Sequence, residues 1–191
     1  MQAVILKIMQ FYNQGRTATF FTETRGLVRV NIRKSTANNL SPLTLMEIHL
    51  QKAQGEYYTL GDFSLIDPIL EIRESLDRLN AGAHMAKLLL NLHFPEKPSP
   101  QLFTLFKAYL LRLKESSNPS LLAASFSLKL LKHEGVFPLE KEDFFMAVSE
   151  EEWLISQLLA HSRSFSALEE LSAPSLIERL NAHVGESVKS F

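Results

Sequence analysis

From Gln2 to Leu65 apolar and polar residues alternate with a period of two, the spacing at which a strand presents one face to a core and the other to water. Five strands are predicted, over Gln2 to Met9, Thr17 to Thr22, Gly26 to Lys34, Leu43 to Lys52 and Tyr57 to Leu65. The breaks between them carry Asn13 and Gly15, then Arg25 and Gly26, then Asn38, Asn39 and Pro42, then Gly55, residue types that supply turn geometry. After Pro68 the period changes to 3.6 and stays there. Ile69, Ile72, Leu76, Leu79, Ala83, Ala86 and Leu90 predict one apolar stripe on a first helix that ends before Pro95. Ser99 with Pro100 starts a second helix lined by Leu102, Phe103, Phe106, Leu110 and Leu113. Asn118 with Pro119 starts a third, carrying Leu121, Leu122, Leu128 and Leu131 and closed by Gly135. Ser149 with Glu152 and Ser166 with Glu169 have capping-box spacing, so the remaining chain is expected to be helical as well.

Five short strands, expected to be antiparallel, suit a small closed barrel, of which the OB-fold is the commonest five-stranded form. The expected fold class is α+β: a five-stranded OB-fold β-barrel over residues 1–67 and an all-α helical domain over residues 68–191.

The 191 residues, 46% of them apolar, are enough for two small cores. The chain has no cysteine, which excludes disulfides, thiolate zinc sites and cysteine nucleophiles. No cationic segment precedes the apolar run at the N-terminus and no apolar stretch approaches the roughly 20 residues that span a bilayer, so a soluble, unexported, cytoplasmic protein is expected. The net charge of -1 conceals a pattern: residues 1–60 hold seven Lys and Arg against three acids, while residues 139–191 hold four against ten. Modest nucleic-acid binding through one basic face fits this better than uniform coating.

On the third strand, alternation sends Val28, Val30 and Ile32 to one face and Arg29, Asn31 and Arg33 to the other. Arg29, Arg33 and Lys34, with Lys7 and Arg16 as nearby candidates, form a cationic set suited to phosphate oxygens, and Phe11, Tyr12, Tyr57 and Tyr58 are aromatics able to stack on bases. The alternative is a solvated strand face with aromatics in the core. Lys107, Arg112, Lys114, Lys129 and Lys132 surround leucines and phenylalanines on the second and third helices, a cationic rim suited to an acidic peptide with an aromatic end. The alternative there is the wet side of amphipathic helices. The six histidines, His49, His84, His93, His133, His161 and His183, form no ligand pair, and no phosphate loop or nucleophile elbow occurs, so neither catalysis nor a cofactor is expected. Glu150, Glu151 and Glu152 stand where acids favour a helix start, and Trp153 beside them is expected to pack.

Three stretches resemble the bacterial DNA repair protein family RecO. The first runs through Ala3-Val4-Ile5-Leu6-Lys7, Phe20-Phe21-Thr22, Gly26-Leu27-Val28 and Leu40-Ser41-Pro42-Leu43, similar to the family's first strands and its Leu-x-Pro-Phe turn. The second runs from Leu76 through Phe94, Pro95 and Pro98 to Leu102-Phe103, then Leu121-Leu122 and Leu128-Lys129-Leu130-Leu131 to Gly135 and Pro138, similar to the family's central helices. The third, Leu180-Asn181-Ala182-His183-Val184-Gly185 with Val188-Lys189-Ser190, is similar to its closing helix.

The resemblance implies a recombination mediator without catalytic activity that binds single- and double-stranded DNA, anneals complementary strands, binds the acidic tail of single-stranded-DNA-binding protein, and acts with RecR to load RecA, in the cytoplasm at the nucleoid. Carried onto this sequence, the DNA role falls on Arg29, Arg33 and Lys34, and more loosely on Lys7 and Arg16. The tail-binding role falls on the basic residues of the second and third helices, with Lys129 and Lys132 preferred. The chain departs from the family pattern twice. It lacks the cysteine zinc module that many members carry after the Gly-x-x-Pro segment, and its basic loop after strand three is shorter and has no glycine. The alternative expectation is a non-catalytic interaction scaffold that keeps the RecO shape with little DNA affinity.

Overall fold

The computed structural model describes residues 1–11, 15–32, 40–52, 57–92, 95–169 and 171–187. Five strands, β1 (Gln2–Phe11), β2 (Gly15–Thr22), β3 (Gly26–Ile32), β4 (Leu45–Lys52) and β5 (Tyr57–Asp67), close into a barrel in the order β1-β2-β3-β5-β4. The strands were expected to be antiparallel; one pair, β3 with β5, is parallel, with Arg29 opposite Tyr57 and Asn31 opposite Thr59. Parity requires this, because direction cannot alternate all the way round a ring of five. Closure comes from β1 against β4, where Ala3 faces Met46.

Alternation fills the interior. Ile5, Phe20, Val28, Val30, Ile32, Met46, Ile48 and Leu60 belong to one buried cluster, and on β3 only Arg29 and Asn31 between them are exposed. One irregularity changes which residues of β1 face inward. Ile5 pairs with Phe20 and Lys7 with Thr19, so Leu6 is the extra residue of a bulge. Strict alternation would send Lys7 inward with Ala3 and Ile5; after the bulge it is Ile8 that packs on the core, and Lys7 is exposed. The backbone at Ile5 bonds instead to the turn that precedes β4: Leu43 N–H donates to the Ile5 carbonyl at 2.7 Å, and Ile5 N–H to the Thr44 carbonyl at 3.2 Å.

Phe21 points away from the barrel interior and needs cover of its own. Helix α2 (Pro100–Leu113), numbered after α1 (Leu76–Leu92), supplies it: the Phe103 and Phe106 rings lie 5.7 and 6.2 Å from the Phe21 ring, and Lys107 Nζ donates to Gln2 Oε1 at 2.8 Å. The start of α2 is as expected, with Leu102 N–H donating to the Ser99 hydroxyl and Leu102, Phe103, Phe106, Leu110 and Leu113 all buried. The chain accordingly forms two compact units, Met1–Leu70 with His93–Leu110, and Glu71–Leu92 with Leu111–Phe191, whereas the sequence expectation assigned everything after residue 67 to one helical domain.

In the second unit α3 (Pro119–His133) is central and packs against α1, α4 (Glu150–His161), α5 (Phe165–Glu169) and α6 (Pro174–Ser187). Every residue from Leu121 to Leu128 is buried, the signature of a helix covered all round. Its two buried serines are satisfied by carbonyls, Ser125 by Leu159 of α4 at 2.8 Å and Ser127 by Ala123 at 2.7 Å. Asn118 caps its start through Leu121 N–H. At its end Gly135 has φ +77, with Val136 N–H donating to the Leu131 carbonyl and Gly135 N–H to that of Lys132, a Schellman motif. Ser149 and Glu152 form the expected capping box on α4.

Two helical expectations are corrected. Leu70–Glu74 is a separate 3-10 turn, set off by Ile69 at φ +49 with its N–H on Asp67 Oδ1, and Ser75 restarts the chain as α1. The phase shift leaves Leu76, Leu79 and Ala83 exposed; Ala86 is buried as expected, and Ala81, Met85, Leu88 and Leu89 are buried with it. Helix α5 is capped by Ser164, whose hydroxyl accepts from Ala167 N–H, and not by Ser166.

Candidate nucleic-acid interface

The registers of three strand pairs align one transverse row across the outside of the barrel. Lys7 on β1 faces Thr19 on β2, Thr19 faces Arg29 on β3, and Arg29 faces Tyr57 on β5. Lys7 and Arg29 are exposed, and Thr19 and Tyr57 partly buried. Neighbouring strands lie about 4.8 Å apart, so the two cations rise from backbone positions roughly 10 Å apart. The next outward row is polar: Asn31 Oδ1 accepts from the Thr17 hydroxyl at 3.2 Å, beside Thr59 and Gln51. Such a surface offers two well-separated positive charges for phosphates and neutral groups between them.

Arg16, expected in the same set, lies elsewhere. Arg16 pairs with Ile32 and by register shares the side of Ala18 and Phe20, at the mouth of the barrel and not on its outer wall. Arg33 and Lys34 lie outside the described residues, as does Tyr12. Tyr58 is in the barrel core, 8% exposed, with its hydroxyl donating to Glu96 Oε1 at 3.1 Å and accepting from Arg25 Nη1 at 3.3 Å. The Arg25 guanidinium also lies 5.4 Å from the Tyr58 ring centre.

Glu96 belongs to a strap that no sequence signal connects with the barrel. Pro95 bridges to Leu27 in parallel, and Glu96 N–H donates to the Leu27 carbonyl at 2.9 Å. Gly26, at φ +68, lets the strap approach so closely that a Cβ there would stand 2.1 Å from the Lys97 carbonyl oxygen. The strap thus occupies the stretch of the β3 edge that β5 does not reach. The nearest sequence signal is the pair Pro95 and Pro98, which marks an extended connection but not its destination.

The family described as Recombination protein O C terminal matches residues 73–159. DNA repair protein RecO of Chlamydia pneumoniae is 33% identical over 121 residues, 63% of this chain and 46% of that protein. The protein of the same name from Chlamydia trachomatis serovar D is 29% identical over 140 residues, 73% of this chain and 55% of that protein. That of Myxococcus xanthus is 28% identical over 144 residues, 71% and 58% respectively. These likenesses support a relation of this chain to the RecO proteins. The chain spans about half the length of the curated relatives it matches.

The segment after Gly135 is held by rings. Phe137 stacks parallel to Trp153 with centres 6.1 Å apart, and Phe144 meets Trp153 edge-on at 5.3 Å. Among the described residues no group of three or more His, Cys, Asp or Glu is placed to hold a metal ion, and no helix is long and apolar enough to cross a membrane.

The basic residues expected to form a peptide-binding rim are distributed over both units. Lys107 belongs with the barrel and bonds to Gln2. In the helical unit, Lys114 pairs with Glu71 at 3.0 Å, and Arg112 is partly buried. Lys129 Nζ donates to the carbonyl of Ser162 at the end of α4; burial, and then the neighbouring Lys132, holds its pKa below the usual lysine value. Lys132 is exposed.

Proposed function

We propose that this chain is a non-catalytic DNA repair and recombination mediator that binds single- and double-stranded DNA along the Lys7-Thr19-Arg29-Tyr57 row. Its work includes annealing complementary strands and, with RecR and single-stranded-DNA-binding protein, loading RecA, in the cytoplasm at the nucleoid. In this reading the barrel carries the DNA contacts, with Arg33 and Lys34 continuing them beyond β3, and the helical unit carries the partner contacts, with Lys129 and Lys132 toward an acidic tail. The observation that carries it is the register of Lys7 and Arg29 on one exposed wall of an OB-type barrel in a chain similar to the RecO proteins. OB-type barrels bind single strands on this kind of wall.

The experiment is a titration of a fluorescein-labelled single-stranded oligonucleotide at several salt concentrations. Binding is expected to weaken linearly on a log-log plot, with a slope of about -0.7 for each phosphate neutralised. Absence of binding at low salt overturns the reading.

A further inference from the structure

β5 meets β3 only from Arg29 onward, and the strap covers Gly26 and Leu27, so an opening remains where the two edges hand over. It is a recess of about 360 Å³, within the size range of small-molecule sites. Leu27, Val28 and Pro95 give it an apolar lining. Its polar groups are two cations, Arg29 and Lys52, one phenol, Tyr58, and one carboxylate, Glu96.

The carboxylate decides what fits. An ionised carboxylate has about four acceptor positions, and the Tyr58 hydroxyl takes one, fixing the group in place and leaving acceptors for a ligand. A plain polyanion, such as free phosphate or an acidic peptide, gains at Arg29 and Lys52 but is repelled at Glu96. A ligand that combines an anion with a flat apolar body and a hydrogen-bond donor edge satisfies all three. A nucleotide has these features, and among the bases guanine presents two adjacent donors, N1–H and the exocyclic amino group, spaced for the two oxygens of a carboxylate. Thymine presents a single N–H between two carbonyls. Glu96 is also held at φ +55, a left-handed conformation that non-glycine residues rarely adopt and that concentrates at ligand sites.

We propose that this recess takes one unstacked nucleotide of single-stranded DNA, with Arg29 and Lys52 on its phosphate and the Glu96 carboxylate selecting guanine. The inference rests on the reading of the barrel as a DNA-binding wall, because Arg29 belongs to both the cationic row and the recess. It adds base selectivity to the phosphate contacts of the cationic row.

The test measures fluorescence anisotropy of the full chain with an alternating thymine–guanine oligonucleotide and with oligothymidine of equal length at one salt concentration. The guanine-containing strand is expected to bind at least about fivefold more tightly, the low end of discrimination by a paired hydrogen-bond contact. Glu96→Gly suits the left-handed backbone and so preserves the strap, and Glu96→Gln keeps an acceptor for Tyr58 while losing the two-oxygen acceptor face. Both are expected to bring the ratio of affinities to about one, with oligothymidine still bound. Equal affinities for the parent chain, or a ratio retained in either variant, overturn the guanine pocket and leave the DNA-binding reading intact. Failure of the parent chain to bind either strand overturns both.

Discussion

Lys7 and Arg29 flank Thr19 from its two sides, one strand away in each direction, and both stand exposed on the outer wall of the barrel. The pair exists because the bulge at Leu6 turns Lys7 outward. If the row neutralises phosphates, Lys7→Ala and Arg29→Ala should each weaken binding to single strands of any sequence and make the log-log salt slope shallower by about 0.7. Arg16→Ala, at the barrel mouth, should change the slope less. Salt titration of the three variants checks the order.

Gly26 and Gly135 both have positive φ, yet their surroundings differ. A Cβ at Gly26 meets the Lys97 carbonyl at 2.1 Å, whereas a Cβ at Gly135 meets nothing within 4 Å. Gly135→Ala should therefore lose only the left-handed backbone preference, about 1 kcal/mol. Gly26→Ala must also push the strap away from β3, and a loss of at least about 2 kcal/mol is expected. Urea unfolding of the two variants compares them directly; equal losses would mean that the strap yields without cost.

The contrast between these glycines bears on what the sequence could reveal. Period-two alternation on β3 and the helix starts at Ser99, Asn118 and Ser149 are local signals, carried by residues within one or two turns of each other, and they appear in the structure as read. Lys7 was legible as a cation but not as an outward one, because a bulge has no fixed sequence mark and reverses parity for every residue after it. The stripe through Leu76 and Leu79 failed for a related reason: the break at Ser75 resets the helical phase that the stripe assumed. The recess was illegible, since Arg29, Lys52 and Glu96 come together only through strand order and the strap.

His84 of α1 lies with Nε2 3.3 Å from the Ser127 hydroxyl of α3, and burial, then the charge of Lys87, lowers its pKa below the ordinary 6.5. The native state therefore resists a proton that the unfolded chain accepts near pH 6.5. More protons are bound by the unfolded state in the window below that value, so stability should fall as pH drops from about 6.5 toward the lowered native value. One such group contributes a slope no steeper than about 1.4 kcal/mol per pH unit. In His84→Gln the slope through this window should be shallower, measured by urea unfolding between neutral and mildly acidic pH. An unchanged slope would assign the acid sensitivity to other groups.

Lys129 and Lys132 are one helical turn apart on α3 but are differently employed. Lys129 is partly buried, with its ammonium on the Ser162 carbonyl, where the last turn of α4 ends. Removing it in Lys129→Ala leaves that carbonyl without this donor, and a loss of about 1 kcal/mol in stability is expected. Lys132 is exposed, and Lys132→Ala should stay within about 0.5 kcal/mol of the parent. The two effects separate folding from recognition. If an acidic peptide ending in phenylalanine docks on this surface, Lys132→Ala should weaken its binding at unchanged stability, because the exposed ammonium is available to a carboxylate without first leaving an internal partner. Calorimetric titration of the peptide, run beside urea unfolding of both variants, distinguishes the roles, and peptide affinity untouched in Lys132→Ala would remove this residue from the docking surface.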